Sequence, residues 1–372
     1  MTCRSAKSGS STLKAFTLVI ALGLFGACGG GTVGSQESVI APSIDHLEQS
    51  SGSLENPTVD SSASGGTKAS ILSSMGYDKV TDVNSTSYDQ DWQALLQTSM
   101  QQKKLPDQLV PPLAELDARG KALWNPCPIR SETSATKTQV CDLGNPKASR
   151  TALLLGDSKA MMLVPMMLTA VDLRQWRVLL LAQGNCPAAD IKPWENLKWN
   201  DTCKEHREYT WAMADKIHPA LTLISETDPP SGTEAAYGAG LARSLERLNR
   251  SSKLVVTVQN LPARGLDTCL GAGNDLTPCL EKGNREWKTA IMKVRTSAAN
   301  GSKSKILDVR NWGCVGDTCP AVVGNMSVFT YGGHYTSVFA QSLSPMFAET
   351  LGRWGMNHLE FAAPEVVTKA FK

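Results

Sequence analysis

From residue 151 onward the chain repeats one alternation, and it leaves few architectures open. Runs that are apolar almost throughout appear at "TALLLG" (151–156), "RVLLLAQ" (177–183), "ALTLISE" (220–226), "KLVVTVQ" (253–259) and "KILDV" (305–309). Segments of helical length lie at 159–172, 204–217, 233–250, 284–299 and 335–352. A strand that is apolar on both faces must be covered on both, and crossover helices do this in α/β chains. The pattern therefore predicts a three-layer α/β/α domain around a mainly parallel, five-stranded sheet. Ligands of such open sheets bind beyond the carboxyl ends of the strands. Ser158, Gly184, Ser225 and Asn260 stand at those ends, so they are the first places to look for chemistry.

The N-terminal part has a different character. Lys7 and Lys14 precede the apolar run "AFTLVIALGLFGAC" (15–28), which is followed by "GGGTVGS". A basic region, a short apolar core and small residues at its end read as a signal peptide, and the run is too short for a comfortable membrane span. Gly26 and Ala27 directly before Cys28 resemble a bacterial lipobox, which implies a diacylated Cys28 and an exported, lipid-anchored chain on the outer or periplasmic side of the cell membrane. Residues 29–70, rich in Ser and Gly, have too little apolar surface to offset ordering entropy and read as a tether. Residues 71–120 hold two candidate helices, around "DWQALLQTSMQ" (91–101) and "LVPPLAELDARG" (109–120), expected as an N-terminal extension packed on a main domain of 121–360. Residues 361–372 form a C-terminal tail.

Eight of the ten cysteines follow the lipobox: Cys127, Cys141, Cys186, Cys203, Cys269, Cys279, Cys314 and Cys319. An even number in an exported chain implies disulfides, and these fall into four local pairs, each bracketing a loop. Metal ligation is the rival reading. It lacks any Cys-x-x-Cys, and His206 is the only histidine near these cysteines in sequence, so no metal or cofactor is expected. Lys and Arg total 37 against 35 Asp and Glu, a balance that gives no reason to expect a nucleic-acid partner.

"TALLLGDSKAMML" (151–163) puts Ser158 directly after the first apolar run. A nucleophilic serine needs a base, and histidine has the suitable pKa. His46 falls in the tether and His358 in the tail, while His206 and His218, on or beside one expected helix, are read as capping it or facing solvent. His334 differs, because "FTYGGHYTSVFAQSL" (329–343) places it in a Gly-rich loop returning to the sheet edge that carries Ser158. Met161, Met162, Met166 and Met167 are expected in the core. The same is expected of Trp176, Trp194, Trp199 and Trp211.

Four segments, "LLLGDSKAMMLVPMM", "LLLAQGNCPAADI", "VVTVQNLPARGLDTCL" and "DVRNWGCVGDTCPAVVGNMSVFTYGGHYTS", together resemble the SGNH/GDSL hydrolases. The resemblance is closest to the SGNH domains fused to membrane acyltransferases that O-acetylate bacterial surface glycans, and it covers about residues 100–352. It implies the flavodoxin-like SGNH fold and serine esterase or O-acyltransferase chemistry on an acylated envelope carbohydrate, with acetyl the expected acyl group. It makes Ser158 the nucleophile, His334 the base, and the amides of Ser158 and Gly184 the oxyanion donors. No membrane-spanning donor domain is expected on this chain, so acyl transfer would need a separate membrane acyl donor protein.

Three positions depart from the family pattern. Tyr331 stands where an Asp usually orients the histidine, Lys159 replaces the His that usually follows the serine, and "LISETD" brings Ser225 and Glu226 but no asparagine for the oxyanion hole. Asp157, Lys159, Ser225, Tyr331 and Asp317 are therefore the supporting positions to inspect. The Tyr331 hydroxyl or a backbone carbonyl is a candidate acceptor for the far ring nitrogen of His334. Asp317 is the alternative, although its place between Cys314 and Cys319 favours a solvated turn, and Lys159 is expected either to stabilise an oxyanion or to point outward. The rival class is a catalytically impaired relative that binds glycan or a partner protein in the envelope.

Overall fold

The computed structural model describes residues 80–82, 85–117, 140–192, 200–262, 265–282, 285–359 and 362–364. The expected signal peptide, Cys28, the tether, His46, Cys127, Trp194 and Trp199 lie outside the described residues. The strands of the main sheet are β1 (Cys141–Gly144), β2 (Arg150–Gly156), β3 (Trp176–Ala182), β4 (Leu221–Ser225), β5 (Val255–Gln259) and β6 (Lys305–Asp308). Their spatial order is β1-β3-β2-β4-β5-β6. Strands β2 to β6 run parallel to their neighbours. Strand β1 pairs antiparallel with β3, Cys141 opposite Leu180 and Gly144 opposite Arg177. The sheet thus has six strands rather than five. "CDLG" is short and half polar, so only its pairing with β3 makes it a strand.

The principal helices are α1 (Ser85–Ser99), α2 (Ser158–Met161), α3 (Val164–Ala170), α4 (Asn200–Ile217), α5 (Glu234–Asn249), α6 (Arg285–Ser302), α7 (Ser337–Ser342) and α8 (Ser344–Arg353). Because successive side chains of a strand alternate between faces, each leucine run feeds two cores. Leu153, Leu155, Leu179, Leu181 and Ile224 pack with Met213, Leu241, Leu245 and Ala298 of α4, α5 and α6. Leu154, Val178, Leu180, Leu223 and Val256 pack with Trp92, Met166, Met167, Phe339 and Phe347 of α1, α3, α7 and α8. Each such side chain, fully buried, contributes about 1.5–3 kcal/mol. Helix α1 is fixed by more than its apolar face: Trp92 Nε1 donates to the Trp312 carbonyl at 2.6 Å and Tyr88 Oη to Ser342 at 2.8 Å.

Three expected helices change. The segments 159–172 and 335–352 each break in two, with Pro165 and Pro345 at the start of the second helix, because proline removes an amide and clashes with the preceding turn. The third, 109–120, shows one 3-10 turn at Leu113–Glu115 after the cis Val110–Pro111 bond, and residues 118–120 lie outside the described residues. Disulfides join Cys186 to Cys203, Cys269 to Cys279 and Cys314 to Cys319, and Cys141 is also disulfide-bonded. Met161, Met162, Met166, Met167 and Trp176 are buried, whereas Trp211 is half-buried. No described helix is long and apolar enough to cross a membrane.

Candidate active site

Counted from β2, the parallel strands lie in the order 2-1-3-4-5. The chain leaves β2 for β3 on one side and later adds β4 on the other, and this reversal opens a crevice at the carboxyl end of β2. Gly156 closes β2 with φ +136, and a Cβ there would stand 1.9 Å from the Ser225 carbonyl oxygen. Only glycine lets β2 and β4 approach so closely. Asp157 then caps α2 with Oδ1 accepting from the Lys159 amide at 2.8 Å, while its Oδ2 accepts from the Thr227 amide at 2.9 Å. The carboxylate is consumed in shaping the turn that presents Ser158. The Gln183 amide donates to the Gly156 carbonyl at 3.1 Å, which draws the Gly184 loop alongside the same turn.

His334 arrives on a tight turn closed by Thr330 N to His334 O at 2.8 Å and Gly333 N to Thr330 O at 3.0 Å. Tyr335 anchors its far side, its buried hydroxyl accepting from the Leu261 amide at 2.8 Å. The result brings together residues 176 positions apart: Ser158 Oγ lies 2.7 Å from His334 Nε2. A hydroxyl at this distance can hand its proton to the imidazole as the oxygen attacks an electrophile. With that proton donated to Nε2, the neutral ring carries its own proton on Nδ1, and Nδ1 has no partner among the described residues.

The supporting residues divide clearly. Tyr331 is 37% exposed and does not hold the ring; its hydroxyl donates to the Leu113 carbonyl at 3.2 Å and its amide to Leu116 at 2.8 Å. Asp317 is exposed on a hairpin closed by the Cys314–Cys319 disulfide and by paired bonds between Val315 and Thr318. Lys159 does not point outward: its Nζ donates to the Gly333 carbonyl at 2.6 Å. Ser225 Oγ donates to the Lys159 carbonyl at 3.1 Å and accepts from Asn260 Nδ2 at 2.9 Å.

A family described as "SGNH domain (fused to AT3 domains)" matches residues 126–349, more than half of the chain. The chain belongs to this SGNH family. The comparison with curated proteins gives no match. Similar solved structures include the lipopolysaccharide acetyltransferase periplasmic domain of Salmonella ser. Paratyphi A, at 13% identity and TM-score 0.45, covering 56% of this chain and 85% of that one. TesA is another, at 13% identity and TM-score 0.31, covering 55% of this chain and 97% of that one.

Beneath the SGNH site runs a buried polar network that the sequence analysis missed. Arg295, with no exposed surface, donates through Nε to Tyr237 Oη at 2.8 Å and through Nη1 to Gln259 Oε1 at 2.9 Å, and its Nη2 forms an ion pair with Asp228 Oδ1 at 3.1 Å. Tyr237 donates to Glu226 Oε1 at 2.7 Å, and Glu226 Oε2 accepts from the Ala189 amide at 3.0 Å. "SETD" at the end of β4 thus ties the Ser158 turn, through Thr227, to the loop 183–190, through Glu226. One signal was available: Arg295 stands four residues after Ile291 and three before Ala298, on the buried face of α6. His206 is a further correction, since it is buried rather than solvent-facing, while exposed His218 ends α4 at φ +46.

Burial and then the Lys159 ammonium push His334 down to about 4. Lys159 itself is lowered by burial, opposed by Asp157 and Asp228. Burial raises Asp157 against the pull of the Lys159 and Thr227 amides, and it raises Glu226 against the pull of Arg295. Arg295 would be lowered by burial, yet Tyr237, Asp228 and Glu226 leave it above the ordinary arginine value. The pair is therefore a serine and a neutral histidine at neutral pH, and the charged group acting on the ring is Lys159. Among the described residues no group of three His, Cys, Asp or Glu side chains is placed to hold a metal ion.

Proposed function

We propose that this chain is an exported serine esterase or O-acyltransferase acting on acyl groups, chiefly acetyl, of a cell-envelope glycan, and tethered to the membrane by lipid on Cys28. The observation that carries the reading is the 2.7 Å contact of Ser158 Oγ with His334 Nε2 at the carboxyl edge of an SGNH sheet. Ser158 Oγ would attack the ester carbonyl carbon while its proton passes to His334 Nε2. The oxyanion would be met by the amides of Ser158 and Gly184. Collapse breaks the acyl–oxygen bond, and His334 returns its proton to the departing sugar hydroxyl, leaving an acyl-Ser158 enzyme. Water, or the hydroxyl of an acceptor sugar, then gives its proton to His334 as its oxygen attacks the acyl carbon; the acyl–Oγ bond breaks and His334 returns the proton to Ser158 Oγ. As a transferase the protein would draw its acyl group from a separate membrane donor protein.

The unpartnered Nδ1 of His334 favours a second reading, a glycan- or protein-binding relative without turnover. Loss of the orienting carboxylate in a serine triad costs about 10⁴ in kcat, enough to separate the two. Fluorophosphonate labelling and hydrolysis of an activated acetyl ester are to be compared in wild type, Ser158→Ala and His334→Ala. Labelling and turnover lost in both variants support the enzyme; no labelling, or the same residual rate in all three, sinks it.

A further inference from the structure

The ring of His334 is held at one end only, by Ser158 Oγ at Nε2, while Nδ1 has no partner among the described residues. The main chain that carries the imidazole is a second place at which its position can be fixed. Lys159 is in position to do so. Its own backbone is pinned on both sides, the amide on Asp157 Oδ1 at 2.8 Å and the carbonyl under Ser225 Oγ at 3.1 Å. From that anchor its side chain crosses to the histidine loop and donates to the Gly333 carbonyl at 2.6 Å, within the peptide unit that leads into His334. The turn 330–334 closes on itself through Thr330 and Gly333, so holding one peptide holds the whole turn.

We propose that Lys159 is the positioning residue of the Ser158–His334 pair: its ammonium, clamped on the Gly333 carbonyl, locks the histidine loop against the nucleophile turn and takes over the orienting task of the absent carboxylate. The inference rests on the reading of Ser158 and His334 as the reacting pair. A carboxylate would orient the ring and also favour its protonated form. Lys159 orients it and disfavours that form, so the two duties of a triad acid are separated here. The acids facing Lys159 are Asp157, on the turn before α2, and Asp228, after β4; Lys159 is the cation facing His334.

The test uses the full chain as wild type, Lys159→Met, Lys159→Arg and Ser158→Ala. Ester hydrolysis is followed across the acid and neutral range, and the His334 ring is titrated by nitrogen-15 NMR. Lys159→Met should lower kcat about 10- to 100-fold with KM little changed, the scale expected when a reacting group is misplaced by about 1 Å. The same variant should move both the acid limb and the ring titration up toward the ordinary histidine value. Lys159→Arg keeps donor and charge and should recover most of the rate and the low titration. Wild-type kcat together with an unmoved ring titration in Lys159→Met overturns the proposal, as does Lys159→Arg behaving like Lys159→Met while both remain folded. If wild type neither labels nor turns over, the enzyme reading fails on its own. The ring titration then still decides: a shift in Lys159→Met with recovery in Lys159→Arg supports the clamp, and no shift overturns it.

Discussion

Replacing Gly156 by alanine tests the construction of the Ser158 turn at its tightest point. The added Cβ would lie 1.9 Å from the carbonyl oxygen and 2.9 Å from the carbonyl carbon of Ser225, at a backbone φ of +136 that side chains other than hydrogen rarely adopt. Backbone strain of this kind costs about 1–3 kcal/mol, and overpacking against a fixed backbone adds about 1–3 kcal/mol. The sum, roughly 2–6 kcal/mol, is a large share of the ~5–15 kcal/mol that holds a typical domain together. At about 2–4 °C per kcal/mol for a domain of this size class, the melting temperature should fall by roughly 4–24 °C. Relief requires the ends of β2 and β4 to part, and Ser158 sits two residues beyond that point. Its oxygen should move away from His334, so activity should fall further than stability, by about 10²-fold for a shift near 1 Å. Urea unfolding followed by tryptophan fluorescence gives the first number, and the fluorophosphonate labelling rate of the folded fraction gives the second. Stability within about 0.5 kcal/mol of wild type, together with an unchanged labelling rate, would refute the close approach and the argument built on it.

Two further outcomes are expected. Tyr331→Asp keeps the amide hydrogen bond to Leu116 that holds the loop and puts a carboxylate at the position where the family resemblance expects the orienting acid; ester hydrolysis should rise by about 10-fold or more and the His334 titration should move up, whereas an unchanged rate and titration mean that the site is limited elsewhere. His206 is pushed down to about 4 by burial and by Arg207, against 6.5 for an ordinary histidine. Between those values the unfolded chain binds more protons than the folded one, so its contribution to stability falls as pH drops from about 6.5 toward about 4. His206→Phe removes that component, so its urea midpoint should decline less steeply than that of wild type over this window, and parallel declines would contradict the assignment.

Local patterning was enough for the scaffold. Five of the six strands and the alternation of helices around them could be read from residues 151–309, because a leucine run such as 153–155 buries both faces whatever surrounds it. The serine and its histidine could also be read, since a strand that ends on Gly-Asp-Ser and a Gly-rich loop before the last helix must both reach the carboxyl edge of a parallel sheet. What the local pattern could not carry was the destination of polar groups whose partners lie far along the chain. Strand β1 exists because β3 has a free edge, and Arg295 is buried because Glu226, Tyr237 and Asp228 converge on α6. Lys159 shows the difference most sharply. At the start of a helix its side chain had two plausible directions, solvent or site, and nothing within the helix chooses between them. A carbonyl 174 residues away made the choice, for hydrogen-bond geometry depends on three-dimensional placement, which sequence spacing alone does not encode.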